Sequence, residues 1–261
     1  MKRTDRAIRT LWWKWNQAAQ EKSYAHLNRQ MNDDVLFINW GYEEDPPMAI
    51  PLDAADEPNR YPIQLYHSTA TQAGDLTGKE VLEVGCGRGG GASYLTRALK
   101  PAAYVGLDLS APGVECCRRR HRVAGLEFVE GDAEHLPFPE SSFDAVVNIE
   151  SSHFYPNFGQ FLEEVRRVLR PGGAFLYADV RHWFQLDDWD AALNASGMKV
   201  RSSRDIRDEV LRGMELNTTW DSLVPKLLQR VAAPVEGGVL YRDVRKKKQA
   251  YRMYCLVKET K

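Results

Sequence analysis

Three carboxylates gather around one glycine-rich stretch in this sequence, and together they constrain what it can bind. Gly85-Cys86-Gly87-Arg88-Gly89-Gly90-Gly91 satisfies GxGxG, while Gly85, Gly87 and Gly90 also satisfy the dinucleotide spacing GxGxxG. Glycines let the backbone approach a ligand and adopt dihedrals barred to other residues. Spacing alone leaves a dinucleotide and other nucleotide-like ligands open, and charge separates them. Glu83 lies just before Gly85, where a carboxylate would repel a pyrophosphate. It would suit a ligand with a sulfonium or ammonium group, such as S-adenosylmethionine. Asp108 follows about 20 residues on, a position from which a carboxylate accepts ribose hydroxyls. The bland reading of Asp108, followed by Leu109-Ser110, is a helix cap. Asp132, in Gly131-Asp132-Ala133-Glu134-His135, would be a turn residue by itself; in series with Glu83 and Asp108 it suits an adenine amino group, with the Ala133 N–H on a ring nitrogen.

Alkyl transfer from a sulfonium is an in-line displacement, so the acceptor must be aligned and, if it is a hydroxyl, deprotonated. His153, at the end of Asn148-Ile149-Glu150-Ser151-Ser152-His153, is the candidate base, and Asp179 would orient and charge-stabilise its imidazole. His67 and His182 are rival bases, and Tyr66 is a candidate contact for the methionine end of the cofactor.

These residues need a scaffold that brings them to one edge. Short apolar runs predict strands over 80–84, 103–108, 126–130, 143–149 and 174–179, with Asp179 ending the fifth. Helical spacing is expected over 89–99, 112–122, 158–169 and 187–196, the third of these stopped by Arg170-Pro171-Gly172-Gly173. A sixth strand is expected over 198–202 and a last over 251–257. Strands alternating with helices of this length imply an α/β fold, a Rossmann-like, mostly parallel sheet with helices on both faces and right-handed crossovers. Residues 1–75 read as a separate extension, helical at first and then irregular, because five prolines fall between Trp40 and Pro62. Residues 76–261 read as the cofactor-binding core, with a helical insertion about 206–235.

Composition narrows the function classes. The chain has 261 residues, 35 Lys and Arg against 36 Asp and Glu, and a net charge of −1. That balance argues against a nucleic-acid partner held by bulk electrostatics. The basic run from Arg242 to Lys248 is expected on a solvated surface. No apolar run approaches the roughly 18 residues of a membrane span, and the N-terminus lacks the apolar region of a signal peptide. Cys86, Cys116, Cys117 and Cys255 form no CxxC, so a cytoplasmic protein with reduced thiols is expected. No metal-ligand spacing appears, and Val180-Arg181 after Asp179 makes a Mg²⁺ site unexpected.

Leu82-Glu83-Val84-Gly85-Cys86-Gly87-Arg88-Gly89, Asp108, Gly131-Asp132-Ala133, Ser142-Phe143-Asp144 and Leu169 to Gly173 resemble the ordered motifs of class I S-adenosylmethionine-dependent methyltransferases. The resemblance implies a seven-stranded sheet with an antiparallel last strand. It implies cofactor contacts from Tyr66, Glu83, Gly85, Gly87, Asp108, Leu109, Asp132, Ala133 and Asn148. The segments Phe37 to Pro47, Asp56 to Arg60, Leu65-Tyr66-His67 and Tyr251 to Cys255 further resemble phthiotriol/phenolphthiotriol dimycocerosate O-methyltransferases, which methylate hydroxyls of long-chain lipids. Glu150 to His153 and Ala178-Asp179 are similar to segments of sugar O-methyltransferases of the rebeccamycin type, which implies a catalytic or acceptor-positioning role for His153 with Asp179. The expected activity is methyl transfer to a hydroxyl of a hydrophobic lipid or polyketide-like molecule. Transfer to a fatty-acid carboxylate, an NAD(P)-dependent oxidoreductase, and a non-methylating binder or cyclase are the alternatives. Trp12, Trp13, Trp15, Tyr24, Phe37, Trp40 and Tyr42 would pack a helix on the sheet or form a lid. Leu211, Met214, Leu216, Trp220, Leu223, Leu227 and Leu228 would line a groove or fill a core.

Overall fold

The computed structural model describes residues 35–218 and 238–260. The expectations for Trp12, Trp13, Trp15, Tyr24, Trp220, Leu223, Leu227 and Leu228 lie outside them. Seven strands form one sheet: β1 (Glu80–Val84), β2 (Ala103–Asp108), β3 (Leu126–Glu130), β4 (Phe143–Ile149), β5 (Leu169–His182), β6 (Lys199–Asp205) and β7 (Gln249–Val257). Their order is β3-β2-β1-β4-β5-β7-β6, with β7 antiparallel to both of its neighbours. The chain winds outward one way from β1 through β2 to β3 and the other way from β4, so the order reverses between β1 and β4. The crevice beyond the carboxyl ends of strands at such a reversal is where open α/β sheets bind ligands.

Seven helices accompany the sheet among the described residues: α1 (Arg60–Ala70), α2 (Gly90–Leu99), α3 (Ala111–Arg120), α4 (Phe158–Val168), α5 (Leu186–Ala195), α6 (Arg207–Leu216) and α7 (Val239–Arg245). Alternate strand residues point to opposite faces, and two apolar layers result. Val81, Val147, Leu176 and Met253 pack with α1, α2, α6 and α7 on one face. Leu82, Val146, Phe175 and Leu256 pack with α4 and α5 on the other. Among the described residues, no helix is long and apolar enough to cross a membrane.

Two local expectations are corrected. Residues 60–70 are helical despite Pro62, because Pro62 sits in the first turn of α1, where a missing N–H removes no helical hydrogen bond. The strand expected at Ala174 begins at Leu169 and runs on to His182, so Asp179 lies inside β5 and does not end it. α4 ends at Val168, just before Arg170-Pro171-Gly172-Gly173 as expected, and these residues bulge from the ladder where the register shifts between the pairs Phe143↔Leu169 and Ala145↔Ala174. Beyond Ala178, the last residue paired with β4, β5 continues against β7 alone.

Candidate active site

β1 delivers the chain directly into the glycine turn. Gly85, Gly87 and Gly89 all have positive φ (76°, 54° and 75°), the left-handed region that glycine enters without strain. A Cβ on Gly85 would lie 1.9 Å from Ser151 Oγ, so the turn presses on the residue that follows β4. Gly90 and Gly91 serve a different purpose. A Cβ there would meet the Leu36 carbonyl oxygen at 2.4 Å and the Tyr66 ring at 1.9 Å, so these two admit the covering segment and α1. The Arg88 Nε–H donates to Val35 O at 3.1 Å on the same side.

The carboxylate series occupies consecutive strand ends. Glu83 is fully buried; it accepts from Tyr66 OH at 3.0 Å and Tyr104 OH at 2.9 Å. Burial pushes its carboxyl up to about 7, against the opposing effect of the two tyrosine hydroxyls. Asp108 accepts from Gly87 N at 2.8 Å and Ser110 N at 3.0 Å, tying the glycine turn to the exit of β2; burial raises its pKa. The cap of α3 is Ser110, whose Oγ accepts from Gly113 N. Leu109, between them, is 68% exposed, an apolar side chain facing solvent beside a buried carboxylate. Asp132 accepts from Glu134 N at 2.8 Å and stands 3.2 Å from His135 Nδ1, which fixes its turn, while Ala133 beside it is buried.

At the end of β4, Asn148 Nδ2 donates to Val84 O at 2.8 Å and contacts Ser151 Oγ and Tyr155 OH at 3.2 and 3.1 Å. Its Oδ1 is buried without a hydrogen-bond partner among the described residues. Such an atom is costly unless a ligand or water satisfies it. Glu150 adopts φ 47°, a conformation disfavoured for a side chain of its size. Its Oε1 accepts from Trp40 N at 2.9 Å and from Tyr251 OH. Burial pushes the Glu150 carboxyl up to about 8, with the Asp179 charge adding to the effect.

The sequence-expected pair meets. His153 Nδ1 lies 2.6 Å from Asp179 Oδ1, and the His153 N–H donates to Asp179 Oδ2 at 3.0 Å. Nε2 has no hydrogen-bond partner among the described residues, and the side chain is 16% exposed. Asp179 is fully buried; it also accepts from Ser152 Oγ at 2.6 Å and faces Arg181 Nη1 at 3.0 Å. Burial would raise its pKa, but the Arg181 and His153 charges outweigh burial and hold the carboxyl well below the usual range. The rival histidines have other partners: His67 Nδ1 meets Tyr94 OH at 2.8 Å, and His182 stacks on Phe184. Glu150 was legible only as part of a segment, and Arg181 only as a residue unlike a metal ligand. Neither the left-handed backbone of the one nor the burial of the other has a signal in residue type.

A covering segment closes one side. The Tyr42 N–H donates to Tyr61 O, and the Glu43 N–H donates to Glu209 O, both at 3.0 Å, which wedges residues 39–44 between α1 and α6. Gly213 on α6 permits that approach, since a Cβ there would lie 2.3 Å from Tyr42 N. Among the described residues, no group of three His, Cys, Asp or Glu side chains could hold a metal ion.

The turn suits a nucleotide-like cofactor carrying a cation. Three left-handed glycines open the backbone, Asp108 lines the β2 exit, and the Asn148 oxygen, unpartnered among the described residues, offers an acceptor rather than a donor for a phosphate. Comparison with known proteins agrees. Residues 82–177 match the Methyltransferase domain family. The chain is 53% identical over 259 residues to a fatty-acid O-methyltransferase of Mycolicibacterium smegmatis, covering 94% of this chain and 93% of that protein. It is 53% identical over 236 residues to a phthiotriol/phenolphthiotriol dimycocerosates methyltransferase of Mycobacterium tuberculosis, covering 87% of each. In fold, it is similar to a geranyl diphosphate methyltransferase in complex with S-adenosylmethionine, with a TM-score of 0.64 and 19% identity over 86% of this chain and 100% of that one.

Proposed function

The chain belongs to the class I S-adenosylmethionine-dependent methyltransferases, and we propose that it methylates an oxygen, a hydroxyl of a hydrophobic lipid or polyketide-like acceptor. The observation that carries this reading is the His153–Asp179 pair. It sits past the carboxyl edge of β4, with Nδ1 committed to the carboxylate and Nε2 without a hydrogen-bond partner among the described residues. An aliphatic alcohol is a poor nucleophile at neutral pH, and a positioned imidazole removes its proton as the new bond forms.

Bound S-adenosylmethionine would supply a methyl group carried on a sulfonium, with a neutral thioether as the leaving group. Gly85, Gly87, Asp108, Leu109, Asp132, Ala133 and Asn148 would hold it, with Glu83 and Tyr66 closing the methionine side. His153 Nε2 takes the hydroxyl proton, and Asp179, ionised and buried, stabilises the imidazolium that results. Residues 35–75, the described part of the N-terminal extension, act as the wall over the acceptor: Leu36 and Tyr66 abut the glycine turn, and Trp40 binds Glu150. The four cysteines are free thiols, which fits a cytoplasmic setting.

A carboxylate acceptor is the second reading, favoured by the similarity to the fatty-acid O-methyltransferase across nearly the whole chain. Labelled-methyl transfer to a long-chain alcohol and to a fatty acid, by wild type and His153→Ala, separates the two. On an alcohol, His153→Ala should lower kcat by about 10²- to 10⁴-fold. On a fatty acid the nucleophile is already ionised, so the loss should appear in KM with kcat little changed. Near wild-type kcat on an alcohol would remove His153 from the base role.

A further inference from the structure

The carboxylate that orients His153 has two cationic neighbours, and only one of them can serve as a base. Asp179 Oδ1 faces His153 Nδ1 at 2.6 Å, and Oδ2 faces Arg181 Nη1 at 3.0 Å. Arg181 is itself buried, and its Nη2 donates to Ser152 Oγ at 2.8 Å, the hydroxyl that in turn donates to Asp179 Oδ2 at 2.6 Å. Its guanidinium lies over the rings of Phe158 and Trp189, 5.2 and 4.9 Å from their centroids. This planar, always-charged group is therefore held by two aromatic rings and by hydrogen bonds from its edge.

We propose that Arg181 is the permanent counter-ion of Asp179, a positioning residue that leaves His153 free to stand as neutral imidazole with Nδ1–H toward Asp179. This rests on the reading of His153 as base. A buried carboxylate must be neutralised by something. Were His153 its only cation, the carboxylate would favour the imidazolium form, in which Nε2 keeps no lone pair for the acceptor proton. With Arg181 present the charge of Asp179 is already balanced, and protonating His153 adds an uncompensated cation.

Other groups around the imidazole do not replace this balance. Tyr177 and Ser152 bring hydroxyls. Glu150, in the same turn, is bonded to Trp40 and Tyr251, and burial favours its neutral form. Tyr155 is bonded to Asn148. Behind Trp189, Arg252 is paired with Asp190 at 2.6 Å and bonded to Tyr254, while His182 faces Gln249.

The test is the pH dependence of kcat together with the protonation state of His153. In wild type, nitrogen NMR at pH 7 should show His153 neutral with the proton on Nδ1; an imidazolium at pH 7 overturns the proposal without reference to activity. Arg181→Met should move the titration of His153, and with it the acid limb of kcat, upward by about one to three pH units. Its activity should be depressed at pH 7 and recovered at alkaline pH. Arg181→Lys keeps the charge and should keep the limb at its wild-type position even if the rate falls. A uniform loss of kcat at every pH in Arg181→Met, with His153 titrating as in wild type, would mean that Arg181 only supports the fold and would refute the counter-ion role. If His153 titrates as expected but methylates no faster than His153→Ala, the base reading fails while the counter-ion role stands.

Discussion

Replacing Glu83 with glutamine should make the protein more stable in alkali than wild type and close to it in acid. Glu83 is fully buried at the end of β1, and its hydrogen-bond partners among the described residues are two neutral donors, Tyr66 and Tyr104. Its carboxyl is pushed from an ordinary 4.5 to about 7, with burial the largest cause. The sign follows from linkage. A carboxyl with a raised folded-state pKa is protonated in both states below 4.5, so its contribution there is fully present. Between 4.5 and about 7 the unfolded chain loses the proton while the folded chain keeps it, and stability falls. At about 1.4 kcal/mol per pH unit, that window corresponds to about 3 kcal/mol, an order-of-magnitude figure.

Glutamine cannot ionise and preserves the shape and one acceptor oxygen. Urea unfolding of wild type and Glu83→Gln at pH 4.5, 5.5, 6.5, 7.5 and 8.5 gives a difference in which every other titrating group cancels to first order. That difference should climb in favour of the variant by about 3 kcal/mol up to pH 7 and then level. The fixed cost or gain of the amide shifts the whole curve without altering its slope. A flat difference, or one that climbs in favour of wild type, would mean that the two tyrosines hold Glu83 as a carboxylate, and the account of the β1 end would be wrong.

Asp108→Ala should weaken S-adenosylhomocysteine binding by about 1.5–3 kcal/mol, roughly 10- to 100-fold, in calorimetry. NADH should bind neither protein, and NADH binding without S-adenosylmethionine binding would end the methyltransferase reading. Gly85→Ala should cost about 3 kcal/mol or more of stability in urea unfolding. A left-handed alanine contributes about 1–2 kcal/mol of that. The rest comes from displacing Ser151, whose Oγ would lie 1.9 Å from the new Cβ, and from the bonds it shares with Asn148 and Tyr155. A loss under about 1 kcal/mol would show that the turn relaxes around the methyl group.

β1, β2 and β4 were legible because both faces of the sheet are largely covered there, so each reads as a mostly apolar run, whereas edge strand β3 buries only Phe128 and shows through Leu126, Phe128 and Val129. Their bounds match the expected ones at Glu80–Val84, Ala103–Asp108, Leu126–Glu130 and Phe143–Ile149. Proline misled the reading at Pro62, which suggested irregular chain yet stands where a helix needs no N–H; the stop expected at Arg170 to Gly173 does follow the end of α4 at Val168, and the same residues then form a bulge of β5. Of the glycine stretch, the sequence could not say which residues serve the ligand turn. The structure divides them, since Gly85, Gly87 and Gly89 are left-handed while Gly90 and Gly91 make room for Leu36 and Tyr66.

The charges at the sheet edge were legible as residues but not as states. Glu83 near the end of β1, Glu150 just after β4 and Asp179 within β5, one residue beyond its last pair with β4, are all carboxyls, and residue type makes them equivalent. Their neighbours do not. Among the described residues Glu83 meets two tyrosine hydroxyls, and Glu150 meets a backbone N–H and a tyrosine hydroxyl, so burial dominates and both are raised. Asp179 alone has a guanidinium at 3.0 Å, and it alone is held below the ordinary range. The difference turns on Arg181, whose burial depends on Phe158 from α4 and Trp189 from α5 closing over it. A cation in a strand reads as a solvent-facing residue until the helices that cover it are in place. So the position of His153 was readable from motif order, while the charge environment of Asp179 beside it depends on Arg181 and on the packing of α4 and α5 over that guanidinium.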